Sequence, residues 1–444
     1  MTNIPLIPHG KLAQRLEHAT NPQTSTAHSD ARIAPAPSFR APPPLSLYVH
    51  IPWCIKKCPY CDFNSHEIRG LKSAQAGHSL MTLPPELEKS YVQALITDLE
   101  SALPLVWGRR INSIFIGGGT PSLLSGASVE QLLNAIRSRL PLLPDAEITL
   151  EANPGAVEYQ KFADFRAAGV NRLSLGIQSF NPTQLKALGR AHDDAEAKRA
   201  VELAATHFDN FNLDLMYGLP GQNLAQALDD LRIAQSFAPP HLSCYQLTLE
   251  PNTHFAAHPP HLPAADDCAD MQDAIEAQLS AYTHYETSAF AKAGHQSQHN
   301  LNYWRFGDYL GIGAGAHSKL TLHDRVLRQV RWKQPKQYLA QLNNTPSRAC
   351  SPDSPGSAVQ AHAPVASSEL ALEFMMNALR LNQGFDSRLF ELRTGQKLSQ
   401  IDAALKQAEQ EGLLERKLNH LAPSRRGQRF LNQLLAHFVA PQNP

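Results

Sequence analysis

Three cysteines, Cys54, Cys58 and Cys61, stand in the spacing C-x3-C-x2-C inside the run YVHIPWCIKKCPYCDFNS, residues 48 to 65. Thiolates are the usual ligands of iron-sulfur clusters, and three on one short loop can hold three corners of a cubane 4Fe-4S cluster. The fourth iron then has no protein ligand and can take a small chelating molecule. Two blander readings compete: a zinc knuckle completed by His50 or His66, and three unrelated thiols. Zinc sites more often pair ligands as C-x2-C with a second distant pair. No second pair exists, since Cys244, Cys268 and Cys350 are scattered singly. Such cysteine usage is no disulfide framework, and no N-terminal apolar run is long enough for secretion or membrane spanning. A reducing, cytoplasmic setting is the expectation.

The elements that must position this loop are short β-rich runs alternating with helical patterns. Strands are expected over 47–51, 111–116, 147–151, 172–177, 212–217 and 241–249, and helices over 86–103, 128–140, 158–168, 195–207 and 224–237. Six strands with helical crossovers mean a parallel sheet with right-handed connections, either open or curled into a barrel. A run such as INSIFI suits burial on both faces. Parallel α/β folds build their sites at the carboxyl ends of the strands, and polar motifs fall there: Gly117-Gly118-Gly119-Thr120-Pro121, Glu151-Ala152-Asn153-Pro154, Gly176-Ile177-Gln178-Ser179-Phe180, and Asp214 in LDLMYGLPGQ. The glycine run lets backbone approach a ligand closely. Any one of these polar residues could equally serve a structural ion pair, because a buried charge is costly unless paired. Four of them in successive β/α units are better explained by one shared polar ligand.

The flanks differ in character. Residues 1–44 carry eight prolines and no useful apolar periodicity, which reads as an unstructured extension, with an Arg-bearing transit peptide as the alternative. Residues 348–368 are rich in Pro, Ser and Ala and read as a linker. Beyond it, amphipathic helices over 369–381, 386–392 and 398–411, a short hairpin and a closing helix suggest a small winged-helix-like domain over 369–438. Arg425, Arg426 and Arg429 form a basic knot there, yet that domain holds ten Lys and Arg against eight Asp and Glu, and the whole chain balances 40 against 40. That is no footprint for strong nucleic-acid binding, and a lid or docking role is expected instead.

The cysteine spacing, with Tyr60 just before the third cysteine, resembles the signature of the radical S-adenosylmethionine (radical-SAM) superfamily. Together with GGGTPSLL, EANPG, RLSLGIQSF, LGRAH, DLMYGLPGQ, HNLNYW and YLGIGAGAHS, it resembles the HemN-like branch and, within it, the haem-chaperone proteins, over residues 45–438. The resemblance implies an α/β fold: an incomplete (β/α)6 barrel in a core and porphyrin-facing extension over 45–347, followed by the small C-terminal helical domain. It implies a 4Fe-4S cluster on Cys54, Cys58 and Cys61, with the amino and carboxylate groups of exchangeable S-adenosylmethionine on the open iron. The contacts to that molecule would be Tyr48, Gly118, Gly119, Thr120, Glu151, Gln178, Arg190 and Asp214. Their chemistry suggests carboxylates on ribose hydroxyls, Arg190 on the carboxylate and glycine backbone at the amino group.

The same resemblance implies haem as cargo, handed to acceptor haemoproteins that include membrane-associated respiratory enzymes. His299 in HNLNYW would be its iron ligand, beside an aromatic wall of Tyr303 and Trp304. From the residues alone, a packed aromatic pair next to a hydrogen-bonded histidine remains open. Phe63 stands where the oxygen-independent coproporphyrinogen III dehydrogenases of this branch have a further cysteine, which favours the carrier over that enzyme. A radical RNA-modifying enzyme fits the first half of the chain but not its charge balance.

Overall fold

The computed structural model describes residues 38–68, 83–155, 161–343 and 348–439. Most of the expected extension, residues 1–37, lies outside them, as do residues 158–160 of the helical pattern expected from 158. The end of the extension is not loose: Phe39 is buried against Val326 and Leu370, and its N–H donates to the His323 carbonyl at 3.1 Å.

The six expected strands form, as β1 (Leu45–Ile51), β2 (Ile111–Gly118), β3 (Leu142–Ala152), β4 (Arg172–Gln178), β5 (Phe211–Tyr217) and β6 (His241–Gln246). All are parallel and neighbours in chain order. Their outward residues, such as Leu47, Ile114, Leu150, Leu173 and Leu213, are fully buried under crossover helices Pro85–Val106 (α1), Gly126–Arg137, Phe162–Ala168, Asp194–His207 and Leu224–Ser236. Burial on both faces explains the near-continuous apolar runs. Helix starts follow local chemistry: Asp193 and Asn223 each accept from the N–H three residues on, with Glu196 and Gln226 returning the bond.

Six strands do not complete the sheet. It has twelve strands and stays open, so the barrel is an arc rather than a closed ring. At one edge β6 is followed by β8 (Ala289–Ala291) and β7 (Thr283–Glu286), both antiparallel. At the other, β1 pairs with a seventh parallel strand, β9 (Asp308–Ile312), followed by β10 (His317–Thr321), β11 (Val326–Arg331) and β12 (Val359–Pro364). The segment read as a linker thus supplies the outermost strand: β12 lies within 348–368.

Between the two edges runs α2 (Gln298–Trp304), the HNLNYW helix, and it closes the arc from inside. The Glu147 carboxylate, deep in the lumen on β3, accepts from the backbone N–H groups of Gln298 and His299, both at 3.1 Å. A carboxylate at a helix N-terminus satisfies donors that have no partner within the helix. Beyond the sheet, Ser367–Ala378, Arg388–Thr394, Asp402–Gln410 and Leu431–Ala436 pack with a three-stranded sheet (Phe385–Asp386, Leu414–Lys417, His420–Pro423) around Phe374, Phe390, Leu405 and Leu421. Phe306, just past α2, belongs to that core. A buried pair, Arg380 and Glu286 at 3.0 Å, with the Arg380 guanidinium 4.3 Å from the Trp304 ring centre, joins the two bodies.

Candidate functional site

The site is built where the strands end. β1 runs into the cysteine loop, whose Trp53–Cys54 and His66–Glu67 ends pair as a two-residue parallel bridge. The loop is laced to the end of β2: Gly119 N–H donates to Ile51 O and Thr120 N–H to Trp53 O, both at 2.7 Å. A Cβ at residue 119 would lie 2.5 Å from Trp53 O and 3.0 Å from Cys54 Sγ. Only glycine lets this backbone pass so close to a cysteine sulfur.

Cys54 is buried, while Cys58 and Cys61 are partly open. Burial pushes the Cys54 thiol up to about 11 and raises that of Cys61, so these sulfurs ionise when metal displaces the proton rather than unaided at neutral pH. Among the described residues no three or more His, Cys, Asp or Glu side chains gather as they would around a single metal ion. His50 is held on both ring nitrogens, by Tyr48 Oη at 2.8 Å and Asn64 O at 2.9 Å. His50 is therefore not free to complete a zinc knuckle, whereas His66 Nε2 is buried with no hydrogen-bond partner among the described residues. Three thiols on one loop, with close glycine backbone, fit three corners of a cubane cluster.

Around the loop the other expected residues converge by a chain of bonds. Gly118 N–H donates to Glu151 Oε2 at 3.0 Å. Thr120 Oγ1 accepts from Asn153 Nδ2 at 2.9 Å, and Asn153 Oδ1 accepts from Arg190 at 2.7 Å. Arg190 also donates to Gly176 O at 2.6 Å and reaches Cys58 Sγ at 3.6 Å. Burial alone would lower the Arg190 pKa, but Tyr60 and Cys58 beside it more than reverse that and keep it charged. Tyr48 is buried in the lumen against Phe115, its pKa raised first by burial and then by Glu151. Asp214 accepts from Ser174 at 3.2 Å, from Asn212 at 2.8 Å and from the Tyr245 hydroxyl. Tyr245, its pKa raised first by burial and then by Asp214, also feels Glu151. The two carboxylates therefore face one lumen.

Gln178 is the strained member. It has φ of 68°, sits just after a register shift against β5, and is 9% exposed with an unpartnered Oε1. A bulge at a strand end re-aims a side chain. A buried amide oxygen with nothing to accept from is what a polar ligand would satisfy. Asn153 was not singled out from sequence, although it joins Thr120 to Arg190; its only signal was its place beside Glu151 at a strand end.

His299 sits deeper in the same lumen, across the Phe115 ring from Tyr48. It is 1% exposed, with Nδ1 on Ser113 Oγ at 2.9 Å, Nε2 on Tyr303 Oη at 3.1 Å, and its ring centre 5.0 Å from that of Phe115. Ser113 lies five residues before the glycine end of β2, roughly 16 Å at the rise of a strand. Burial holds the imidazole pKa well below its usual value. Both ring nitrogens are engaged, the arrangement expected of the packed, hydrogen-bonded reading.

Comparison with known proteins agrees with the geometry. Residues 48–234 match the model of the Radical SAM superfamily, and residues 365–430 that of the HemN C-terminal domain. The chain is 46% identical over 402 residues to the Escherichia coli (strain K12) protein named heme chaperone HemW, covering 90% of this chain and 99% of that one. It is 44% identical to the protein of the same name from Haemophilus influenzae, again covering 90% and 99%. Among solved structures, the radical-SAM coproporphyrinogen III oxidase HemN of Escherichia coli superposes with a TM-score of 0.71 over 90% of this chain and 91% of that chain. At 23% identity this likeness speaks for the fold alone. Among the described residues no helix is long and apolar enough to cross a membrane.

Proposed function

Since the chain belongs to the HemW family of the radical-SAM superfamily, we propose that it binds haem and hands it to acceptor haemoproteins in the cytoplasm or at the membrane face. The observation that carries this is the match along nearly the whole length of two proteins named haem chaperones. Cys54, Cys58 and Cys61 would hold a 4Fe-4S cluster, and Glu151, Gln178, Arg190, Asp214, Tyr48, Thr120 and the Gly118–Gly119 backbone would hold S-adenosylmethionine. The cluster, when bound, would offer an open iron to the amino and carboxylate groups of that molecule. The chain's own part is positional: Arg190 places a fixed positive charge between Cys58 and the strand ends, and the Gln178 amide offers an acceptor pre-set by the backbone.

Phe63 separates this reading from the enzyme reading, because the loop carries no cysteine two residues after Cys61. The body over 369–438 is proposed to serve as a lid or docking surface for the acceptor. The test is direct. Anaerobically reconstituted protein is offered coproporphyrinogen III with S-adenosylmethionine, and separately haem followed by an apo-haemoprotein. Retention and transfer of haem without decarboxylation is expected. Decarboxylation of coproporphyrinogen III would establish the dehydrogenase instead.

A further inference from the structure

The last third of the cysteine loop is held by one side chain. The Asn64 carbonyl accepts from His50 Nε2 at 2.9 Å, and its side-chain Nδ2 donates to Ala314 O at 3.0 Å and Lys333 O at 2.8 Å. An amide nitrogen has two N–H groups, and both are used. The receiving turn follows β9. There Gly315 has φ of 82°, and a Cβ on it would run into the Asn64 amide. Two residues separated by 251 positions in sequence thus share one shape.

The turn is itself anchored. Tyr91 Oη, from α1, donates to His50 O at 2.8 Å and accepts from Ala314 N–H at 2.9 Å. Asp98, fully buried on the same helix, accepts from Gly313 N–H at 3.1 Å, Tyr338 Oη at 2.8 Å and Arg331 Nε at 3.1 Å. Asn64 therefore bonds to a fixed abutment.

The bond to His50 carries the constraint further. A carbonyl oxygen can only accept, so His50 has its hydrogen on Nε2. Burial pushes the His50 pKa down to about 4, so the ring is neutral and Nδ1 must accept from the Tyr48 hydroxyl. Asn64 thereby fixes the direction of a tyrosine in the ligand-facing lumen as well as the height of the cysteine loop.

We propose that Asn64 is a positioning residue that holds the cluster-bearing loop in register with the ligand-binding strand ends, acting through the Gly315 turn and the His50–Tyr48 pair. The proposal rests on the cluster reading above. Asn64→Ala removes both side-chain donors, and Asn64→Asp sets a carboxylate against two carbonyl oxygens. Gly315→Ala is an independent perturbation of the same contact from the other side.

The experiment compares cluster-loaded wild-type protein with Asn64→Ala, Asn64→Asp, Gly315→Ala and the Asn64→Ala/Gly315→Ala double variant. Iron loss to a chelator, the electron paramagnetic resonance spectrum of the reduced cluster with and without S-adenosylmethionine, and urea unfolding are measured. Loss of these two bonds, one part-buried and one exposed, should speed iron loss by about threefold or more. The spectral response to S-adenosylmethionine should change, and Gly315→Ala should add less in the Asn64→Ala background than in the wild type, what remains being the strain of Ala at φ of 82°. Unchanged iron loss and spectra in the Asn64 variants overturn the proposal, as does iron loss that merely tracks global unfolding. Wild-type protein that takes up no cluster would instead remove the reading on which the proposal rests.

Discussion

Gln178 offers a prediction in which binding is lost while stability is kept. The residue holds φ of 68° and its buried Oε1 has no partner among the described residues. A left-handed conformation costs an L-residue about 1–2 kcal/mol, and an unsatisfied buried acceptor about 1–3 kcal/mol. Gln178→Gly removes both costs, set against about 0.5–1 kcal/mol of extra chain entropy and about 1–2 kcal/mol of lost side-chain burial. The Gly variant should therefore be as stable as the wild type within about 1 kcal/mol. Gln178→Ala removes the orphan acceptor but keeps the strain, so Gly should exceed Ala by about 1 kcal/mol, the reverse of the order at an ordinary strand position. Both variants lose the amide that would face S-adenosylmethionine, and affinity should fall about 10–100-fold. Urea unfolding gives the stabilities, and equilibrium dialysis on cluster-loaded protein gives the affinity. An Ala variant more stable than Gly, or S-adenosylmethionine affinity unchanged in both, would refute the argument.

Three further outcomes follow from the same site. Replacing Cys54, Cys58 or Cys61 singly should leave a labile or partial cluster, whereas Cys244, Cys268 or Cys350 variants should keep full iron and sulfide after anaerobic reconstitution; full retention in the triple Ala variant would sink the ligand assignment. Asp230 holds Ser179 Oγ and Phe180 N–H, both at 2.6 Å, and burial raises its pKa from 3.8 to about 6. The folded state thus holds the proton more tightly, so this contribution is full below about pH 4 and is lost as pH rises through about 6, on the order of 2–3 kcal/mol. Asp230→Asn should flatten the stability profile across that window, and an unchanged profile would remove Asp230 as its source. His299→Ala should lower stability by about 2–4 kcal/mol through two lost buried bonds while leaving the haem absorption band unaltered; a lost band in a well-folded variant would establish the ligand role.

The sequence made the six parallel strands and the cysteine loop legible because both are local. The strand runs are apolar and short, and C-x3-C-x2-C needs no partner to be recognised. The seventh parallel strand, β9, escaped because YLGIGAGAHS reads as a glycine-rich turn. Its pairing with β1 depends on chain that departs past β6 and returns. β12 escaped because Pro, Ser and Ala dominate its neighbourhood, and it is a strand through its ladder with β11 rather than through propensity. At the site, Glu151 and Asp214 could be found as charges at strand ends. The contribution of Asn153 could not, because a neutral amide shows itself only when Thr120 and Arg190 lie on either side of it.

The HNLNYW segment has a packing role beside the one its residue types suggest. A histidine beside two aromatic residues invites a planar ligand, but α2 points its residues in three directions. His299 faces the lumen and bonds Ser113, Trp304 lies under the guanidinium of Arg380, and Phe306 enters the C-terminal core beside Phe374. Glu147, from the middle of the sheet, holds the start of the same helix. About two turns of helix and the residues just past it therefore touch the lumen, the domain junction and the second core together. A change that shifts α2 must disturb all three at once, since packed interiors do not deform continuously. The motif is therefore a structural joint: the first turn of α2 is held in the lumen by Glu147, and its other end leads through Trp304 and Phe306 into the C-terminal body.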